Sequence, residues 1–517
     1  VTPVADADAA PLDLRLVPAA LTSWAVTAAG ILWPVGGSVA AAVGAAVATA
    51  ALGWWGSGRR AATGGKGVGA TVVAVGLVAA GFAIAIGLRV DEVRHHPVTQ
   101  RYGAAATVVV TPTENPRALG GNRTMFRGSL MALDGREMPG RVVVFASSSR
   151  IGDLTAGTPV AFRVRVGQPT RRDLSVAVLS AIGDPTYGEA SAVQRAASEV
   201  RGGFAEAARR SLPADQAAML PALVLGDTAG VPRQTTAEFR AAGLTHLTAV
   251  SGANVTIVCG AVLLTAGLIG PRAAVALAAI ALLAFVVVVQ PTASVLRAAV
   301  MGAITLLAVL SHRRRQAIPA LSASVLALMI GSPELAVDVG FALSVSATAA
   351  LIVVAPVWSR RLVGRGWPKP AADAISVAAA AQLVTAPLVA GMAGTFSVVS
   401  VAANVAVAPV IPPITVFGTA AAALGKIWPA GADLLIRFTG PEVWWLLHVA
   451  RWAAGVPGSS VSVPSGLSGV MLTAAAGTAV VLAWRFRWVR IAAGAGAVCL
   501  LAWTVSGLSG GRDTIVE

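Results

Sequence analysis

Charge is what this sequence is short of. Only 12% of its 517 residues are Asp, Glu, Lys or Arg, about half the share of a soluble domain, which excludes a chain that is water-facing throughout. Cysteine is nearly absent. Cys259 and Cys499 both sit inside apolar runs, so no disulfide framework is readable and both suit the part of small buried hydrophobes. A phosphate-cradling loop is missing: GGKG at 64–67 lacks the leading glycine spacing and the Ser or Thr after lysine, and no ATPase of the chain's own is expected. The histidines at 95, 96, 246, 312 and 448 fall in none of the HExxH, HxHxDH or CxxC-type spacings, so neither a metal nor another cofactor is expected. His95–His96, ahead of Pro97, and His312, in a basic run, read as solvated. Repeats between halves, a habit of secondary transporters, are not found by inspection.

What is abundant is apolar. Hydrophobic residues make up 56% and mean hydropathy is +0.74. Many runs reach the roughly 20 residues that cross a bilayer as a helix, so the expected class is a polytopic α-helical membrane protein of about 11 to 13 spans. The first run, Leu21 to Leu52, is too long, and too well followed by others, to be only a cleavable signal peptide. Expected N-terminal spans are 16–33, 35–56 and 68–89; a second block has spans near 244–269, 273–289, 292–310, 317–331, 335–358, 371–391, 398–425, 431–455, 466–484 and 488–507. Of these, 398–425 is broken by Pro409, Pro412 and Pro413, and 431–455 carries Asp433, Arg437, Glu442 and Arg451.

The formal net charge of +15 does not by itself imply nucleic acid, because loop Lys and Arg fix the orientation of a membrane protein. Alternate gaps between spans hold Arg272, then Arg313–Arg315, then Arg360, Arg361, Arg365 and Lys369, then Lys426, then Arg485, Arg487 and Arg490. The gaps between them, QPTAS, GSPEL, GMAGTFS and VPGSSVSVPSG, hold no Lys or Arg. The basic set is therefore expected in the cytoplasm, with the N-terminus inside as well.

Between Val98 and Thr186 the character changes. AATVVVTP, RVVVFASS and TPVAFRVRVGQP are short, β-branched and punctuated by Gly, Pro, Asn and Asp, the pattern of a small antiparallel barrel or sandwich. Parity places this block outside. Its 11 arginines, against 6 acids and no lysine, leave a formal +5. Residues 189–211 then read as an amphipathic helix with Val193, Ala197, Val200, Phe204 and Ala208 on one stripe, lying along the interface or on the barrel. LPADQAAMLPALVLGDTAGVP, broken by Pro and Gly, reads as a re-entrant segment. The expected divisions are 1–97 (N-terminal spans), 98–186 (external β domain), 187–242 (amphipathic helix and re-entrant segment) and 243–517 (channel-type membrane domain).

The most informative stretch is AAGLTHLTAVSGANVTIVCGAVL at 241–263, an apolar run whose first turns carry His246, Ser251 and Asn254. Polar side chains at membrane depth face a hydrated cavity or a bundle interior rather than lipid. Asp227, Arg297, Asp338, Gln382 and Asn404 also sit in or at the edges of apolar runs. Each alone could be a helix–helix hydrogen bond; as a set of eight they suggest a hydrated pathway between broken helices. His246 and Ser251 also raise an intramembrane serine hydrolase. They stand five apart, however, where neighbours on a helix face stand three or four apart, and no separate nucleophile turn is evident.

The wording of that stretch closely resembles the signature of the ComEC-type competence family. LPADQAAMLPALVLGDTAGVPRQTTAEFRAAGLTHLTAVSGANV resembles the opening of that family's membrane competence domain, and PTASVLRAAVMG, SPELAVDVGFALSVSATAAL and TAPLVAGMAGTFSVVSVAANVAVAPVIPP its later blocks. The resemblance runs in order along nearly the whole chain, and it implies an OB-like external domain and passage of single-stranded DNA across the cytoplasmic membrane in natural transformation. Many members continue into a metallo-β-lactamase-like domain. Here the sequence ends at Glu517 with no HxHxDH, so the chain is not expected to be an enzyme, and a separate nuclease, a DNA receptor and a cytoplasmic ATPase or helicase are the expected partners, beside membrane lipids and further copies of the chain. Single strands are held by Arg-lined grooves and stacking aromatics; the external block offers Arg101, Arg123, Arg127, Arg163 and Arg165, with few aromatics (Tyr102, Phe126, Phe145, Phe162 and Tyr187). The alternatives are an ordinary basic surface on the β block, and a small-solute or lipid transporter with an external cap.

Overall fold

Runs of Ala, Val and Leu become helices wherever water is excluded, because a helix alone satisfies its own backbone there. The computed structural model describes residues 13–33, 65–151, 154–290, 292–310, 316–483 and 486–488. The expectations for 35–56, for Arg313–Arg315, for nearly all of 488–507 and for Cys499 lie outside the described residues. Helices α1 (Val17–Leu32) and α2 (Gly65–Arg94) pack on each other. Gly30 permits the contact: a Cβ there would lie 2.6 Å from the Ile86 side chain.

The arginine-rich block is a closed barrel. Its strands are β1 (Ala105–Pro112), β2 (Arg117–Gly120), β3 (Arg123–Leu133), β4 (Arg136–Ser147), β5 (Val160–Gly167), β6 (Ala177–Ala181) and β7 (Thr186–Tyr187). The order β1-β3-β4-β6-β5 returns to β1, with Val108 opposite both Leu133 and Phe162, and β4 runs parallel to β6 through Val144 and Leu179. Alternating β-branched residues fill the interior, where Val108, Phe126, Val144, Val164 and Leu179 are fully buried. This five-stranded closure is consistent with an OB-like fold. His96, expected in solvent, is buried beneath it: its Nε2 meets the Pro139 carbonyl at 3.0 Å and its Nδ1 accepts from the Val98 N–H.

After the barrel come α3 (Ala192–Ser211), α4 (Ala214–Leu225), α5 (Arg233–Ala241), α6 (Gly252–Ala266), α7 (Pro271–Val289), α8 (Ala293–Leu310), α9 (Ala317–Gly331), α10 (Val339–Val353), α11 (Ala355–Val363) and α12 (Lys369–Ala393). A short pair, β8 (Thr395–Ser397) with β9 (Ser460–Ser462), encloses α13 (Ser400–Val407), α14 (Ile411–Leu424), α15 (Pro429–Phe438) and α16 (Gly440–Gly455), and α17 (Leu467–Ala483) follows. Among the described residues, Val73–Arg101, Pro271–Val289, Val339–Val363, Lys369–Ala393 and Ser400–Leu424 are long and apolar enough to cross a membrane. The chain is a mostly helical multi-pass membrane protein.

Several expected elements differ. The run at 244–269 is not one helix: α6 begins only at Gly252, after a loop with a single 3-10 turn at Thr245–Leu247. The run at 431–455 breaks at Thr439 into α15 and α16. The amphipathic helix α3 touches the barrel only at its start, where Gln194 lies against Gly157, and packs mainly on α4, α7, α14 and α15. Its buried stripe is Ala197, Arg201, Phe204, Ala207 and Ala208, with Val193 exposed. Arg201 tolerates burial because it donates to the Val288 carbonyl and to Ser198 Oγ, both at 2.9 Å.

The barrel sits at one end of the helices. Arg172 donates to the Leu32 carbonyl at the end of α1, Gln290 Nε2 donates to Asn115 Oδ1 at 3.1 Å, Arg141 pairs with Glu334, and Arg127 faces Asp338 at 3.8 Å. Gln290 and Glu334 belong to the gaps QPTAS and GSPEL, so the barrel and these two gaps without Lys or Arg share one side of the helical domain.

Candidate pathway site

The loop from Ala242 to Ser251 organises the site. Ala242, Leu244 and Val250 are buried and pin it, while Thr245, His246 and Ala249 stay exposed. Glycines set its approaches. Gly243, at φ +71°, lies so close to α13 that a Cβ would come within 2.5 Å of Ser400, and Gly226, at φ +72°, ends α4 against Val250. His246 is accessible although protein surrounds it on every side. A side chain so placed lines a hollow.

On one flank, α12 and α13 supply Gln382 and Asn404, which meet through serines. Ser400 Oγ donates to Gln382 Oε1 at 3.0 Å, and Asn404 Nδ2 donates to the Ser400 carbonyl at 2.8 Å. Ser397 Oγ donates to the Ala241 carbonyl at 2.6 Å and ties this cluster to the loop. On the other flank, Asn254 is buried in the first turn of α6. Its Nδ2 donates to the Leu223 carbonyl at 3.0 Å and its Oδ1 accepts from Ser251 Oγ at 3.2 Å. Arg297, from α8, is buried beside Gly252 and donates to Ser344 Oγ on α10 at 2.7 Å. Asp227 follows α4, one residue beyond Gly226, and its Oδ1 accepts from the Ala229 N–H at 3.1 Å.

Seven of the eight polar residues thus surround one loop. Asp338 stands apart, at the junction with the barrel, where it caps α10 by accepting from the Phe341 N–H at 2.8 Å and faces Arg127. Ser251 does not engage His246: its hydroxyl goes to Asn254, and the His246 ring engages the Gly243 backbone. That arrangement offers no nucleophile–base pair. Ser344, Ser397 and Ser400 escaped the sequence reading, since a serine in an apolar run ordinarily bonds its own helix. The position of Ser400 four residues before Asn404 was the available signal.

The barrel arginines divide. Arg163 and Arg165 alternate along β5 opposite Thr107 and Ala105, both exposed, with no carboxylate in salt-bridge reach among the described residues. Arg101 is paired with Asp134, Arg123 lies 5.7 Å above the Phe145 ring, and Arg127 faces Asp338. Among the described residues, no three His, Cys, Asp or Glu side chains come together as a metal site.

Known proteins can be set beside this geometry. The family model described as Competence protein matches residues 223–488, which contain the loop and all of its polar neighbours. Among curated proteins, ComE operon protein 3 of Bacillus subtilis (strain 168) is 27% identical over 238 residues; the alignment covers 44% of this chain and 30% of that protein. No solved structure matches.

Proposed function

The chain belongs to the competence protein family, and on that premise we propose that it conducts single-stranded DNA across the cytoplasmic membrane during natural transformation. The observation that carries this reading is the convergence of His246, Ser251, Asn254, Arg297, Gln382 and Asn404, from α6, α8, α12, α13 and the loop before α6, around one accessible hollow. Polar groups in an apolar domain are costly, and a strand whose every unit carries a charge needs a hydrated, hydrogen-bonding route.

The barrel is the receiving surface in this reading, on the outside, with Arg163 and Arg165 on its open face for phosphates. A separate nuclease and receptor present the single strand, and a cytoplasmic ATPase or helicase draws it in. The chain itself performs no covalent chemistry.

Deleting the gene and scoring two pools of labelled DNA tests the reading. Surface-bound DNA should persist while nuclease-protected internal DNA disappears, and the intact gene should restore it. Unchanged internalisation would overturn the proposal.

A further inference from the structure

The start of α6 lacks a counter-charge. Ser251 stands in the N-cap position but gives its hydroxyl to Asn254, so no side chain caps the helix, and the N–H groups of Gly252 and Ala253 find no acceptor among the described residues. Arg297 reaches this end from α8 and is only 5% exposed. Its Nε is held by Ser344 and its Nη1 meets the Met301 sulfur at 3.9 Å, while Nη2 has no acceptor. That nitrogen lies 2.9 Å from where a Cβ on Gly252 would sit. No carboxylate approaches the guanidinium among the described residues.

A helix N-terminus carries about half a positive charge, and the guanidinium adds a full one. Two like charges facing each other away from bulk water are unfavourable unless an anion joins them. Orphan N–H groups at a helix start, with an Arg beside them, are the donor set that proteins use for phosphate. The place is reachable: Ala253 is exposed and Gly252 partly so.

We infer that Arg297 and the Gly252 and Ala253 N–H groups form an oxyanion site that holds one phosphodiester of the passing strand. The inference rests on the transport reading and adds a specific contact to it. Glycine is required at 252 because any side chain would displace the guanidinium from the helix end. The seven-residue neighbourhood is otherwise neutral or histidine-bearing apart from Asp227, so a phosphate held here would be held by one side chain and remain free to leave, as conduction demands.

The test uses the full chain in lipid nanodiscs, with Ala253→Cys in a background of Cys259→Ala and Cys499→Ala. The readout is the rate at which a methanethiosulfonate reagent modifies position 253. A short oligothymidylate should slow modification about tenfold at saturation, and its uncharged methylphosphonate counterpart should not. Arg297→Gln should remove the protection without changing the rate measured in the absence of DNA, which also reports that the site is still formed. Gly252→Ala keeps the charge and should remove the protection too. Protection that survives Arg297→Gln, or equals that of the methylphosphonate, would overturn the site. So would protection by inorganic phosphate but not by the oligothymidylate, which would make it a free-anion site. Each of these failures leaves the transport reading standing, since that is judged by DNA uptake in the deletion strain.

Discussion

Asn254 and His246 belong to one short segment, yet they stand in opposite surroundings. Asn254 is buried and spends both ends of its amide on holding α4 to α6, whereas His246 is accessible inside the hollow. Asn254→Leu should therefore lower stability by about 1 kcal/mol, between the average interhelical hydrogen bond in a membrane and the cost of orphaning a buried carbonyl. Thermal unfolding in detergent would register it, with reduced membrane abundance. His246→Ala should leave unfolding unchanged and reduce only DNA entry. If His246→Ala unfolds earlier instead, the ring is a packing element and not part of the route. Sequence alone marked both residues as polar and intramembrane but could not tell them apart, because burial is decided by Leu223, some thirty positions upstream in another helix.

Among elements, the contact between α4 and α14 is the tightest test of the packing. A Cβ on Gly418 would lie 2.4 Å from a methyl of Val224. Alanine in place of glycine ordinarily favours a helix by about 1 kcal/mol, so the sign of Gly418→Ala depends on this contact alone. Overpacking of this kind costs about 1–3 kcal/mol, and the variant should unfold earlier than the parent. Val224→Ala should restore Gly418→Ala by more than simple addition of the two single effects. Simple additivity in that double-mutant cycle would mean that the two helices do not meet as described. The barrel was legible in outline because alternation and turn residues mark strands locally. The loop before α6 was not. Its buried residues Ala242, Leu244 and Val250 are as apolar as a helix, and hydropathy cannot separate a helix from an irregular segment walled in by protein. Only the two serines and the glycine at Gly243 distinguish them, through contacts with α13.

For the whole molecule, the charge pattern and the geometry agree on every gap but one. The barrel meets QPTAS and GSPEL, and the gaps GMAGTFS and VPGSSVSVPSG meet each other through β8 and β9. Lys426 was grouped with the basic, cytoplasmic set on the strength of a single charge. Yet it pairs with Glu199, whose carboxylate that hydrogen bond and charge hold below its usual range. Two positions on, Arg201 donates to Val288, beside the Gln290 that touches the barrel. A straight course from Ser400 to Lys426 would separate them by about 39 Å at the rise of a helix. That course would carry Lys426 well away from Glu199, and Gly418 away from Val224. Pro409, Pro412 and Pro413, around the 3-10 turn at Ala408–Val410, supply a place to bend instead. We therefore expect α13–α14 to dip into the membrane and return, and α15–α16, broken at Thr439, to do the same. Removing two spans together leaves the parity of Arg485 and Arg487 unchanged, which is why the charge count could not detect the error. In a cysteine-free background, an impermeant thiol reagent added to intact cells should modify Lys426→Cys along with Arg163→Cys, and leave Arg361→Cys untouched until the membrane is opened. Lys426→Cys behaving like Arg361→Cys would mean that both dips are full spans after all, and that the hollow around His246 is closed on that flank by straight helices.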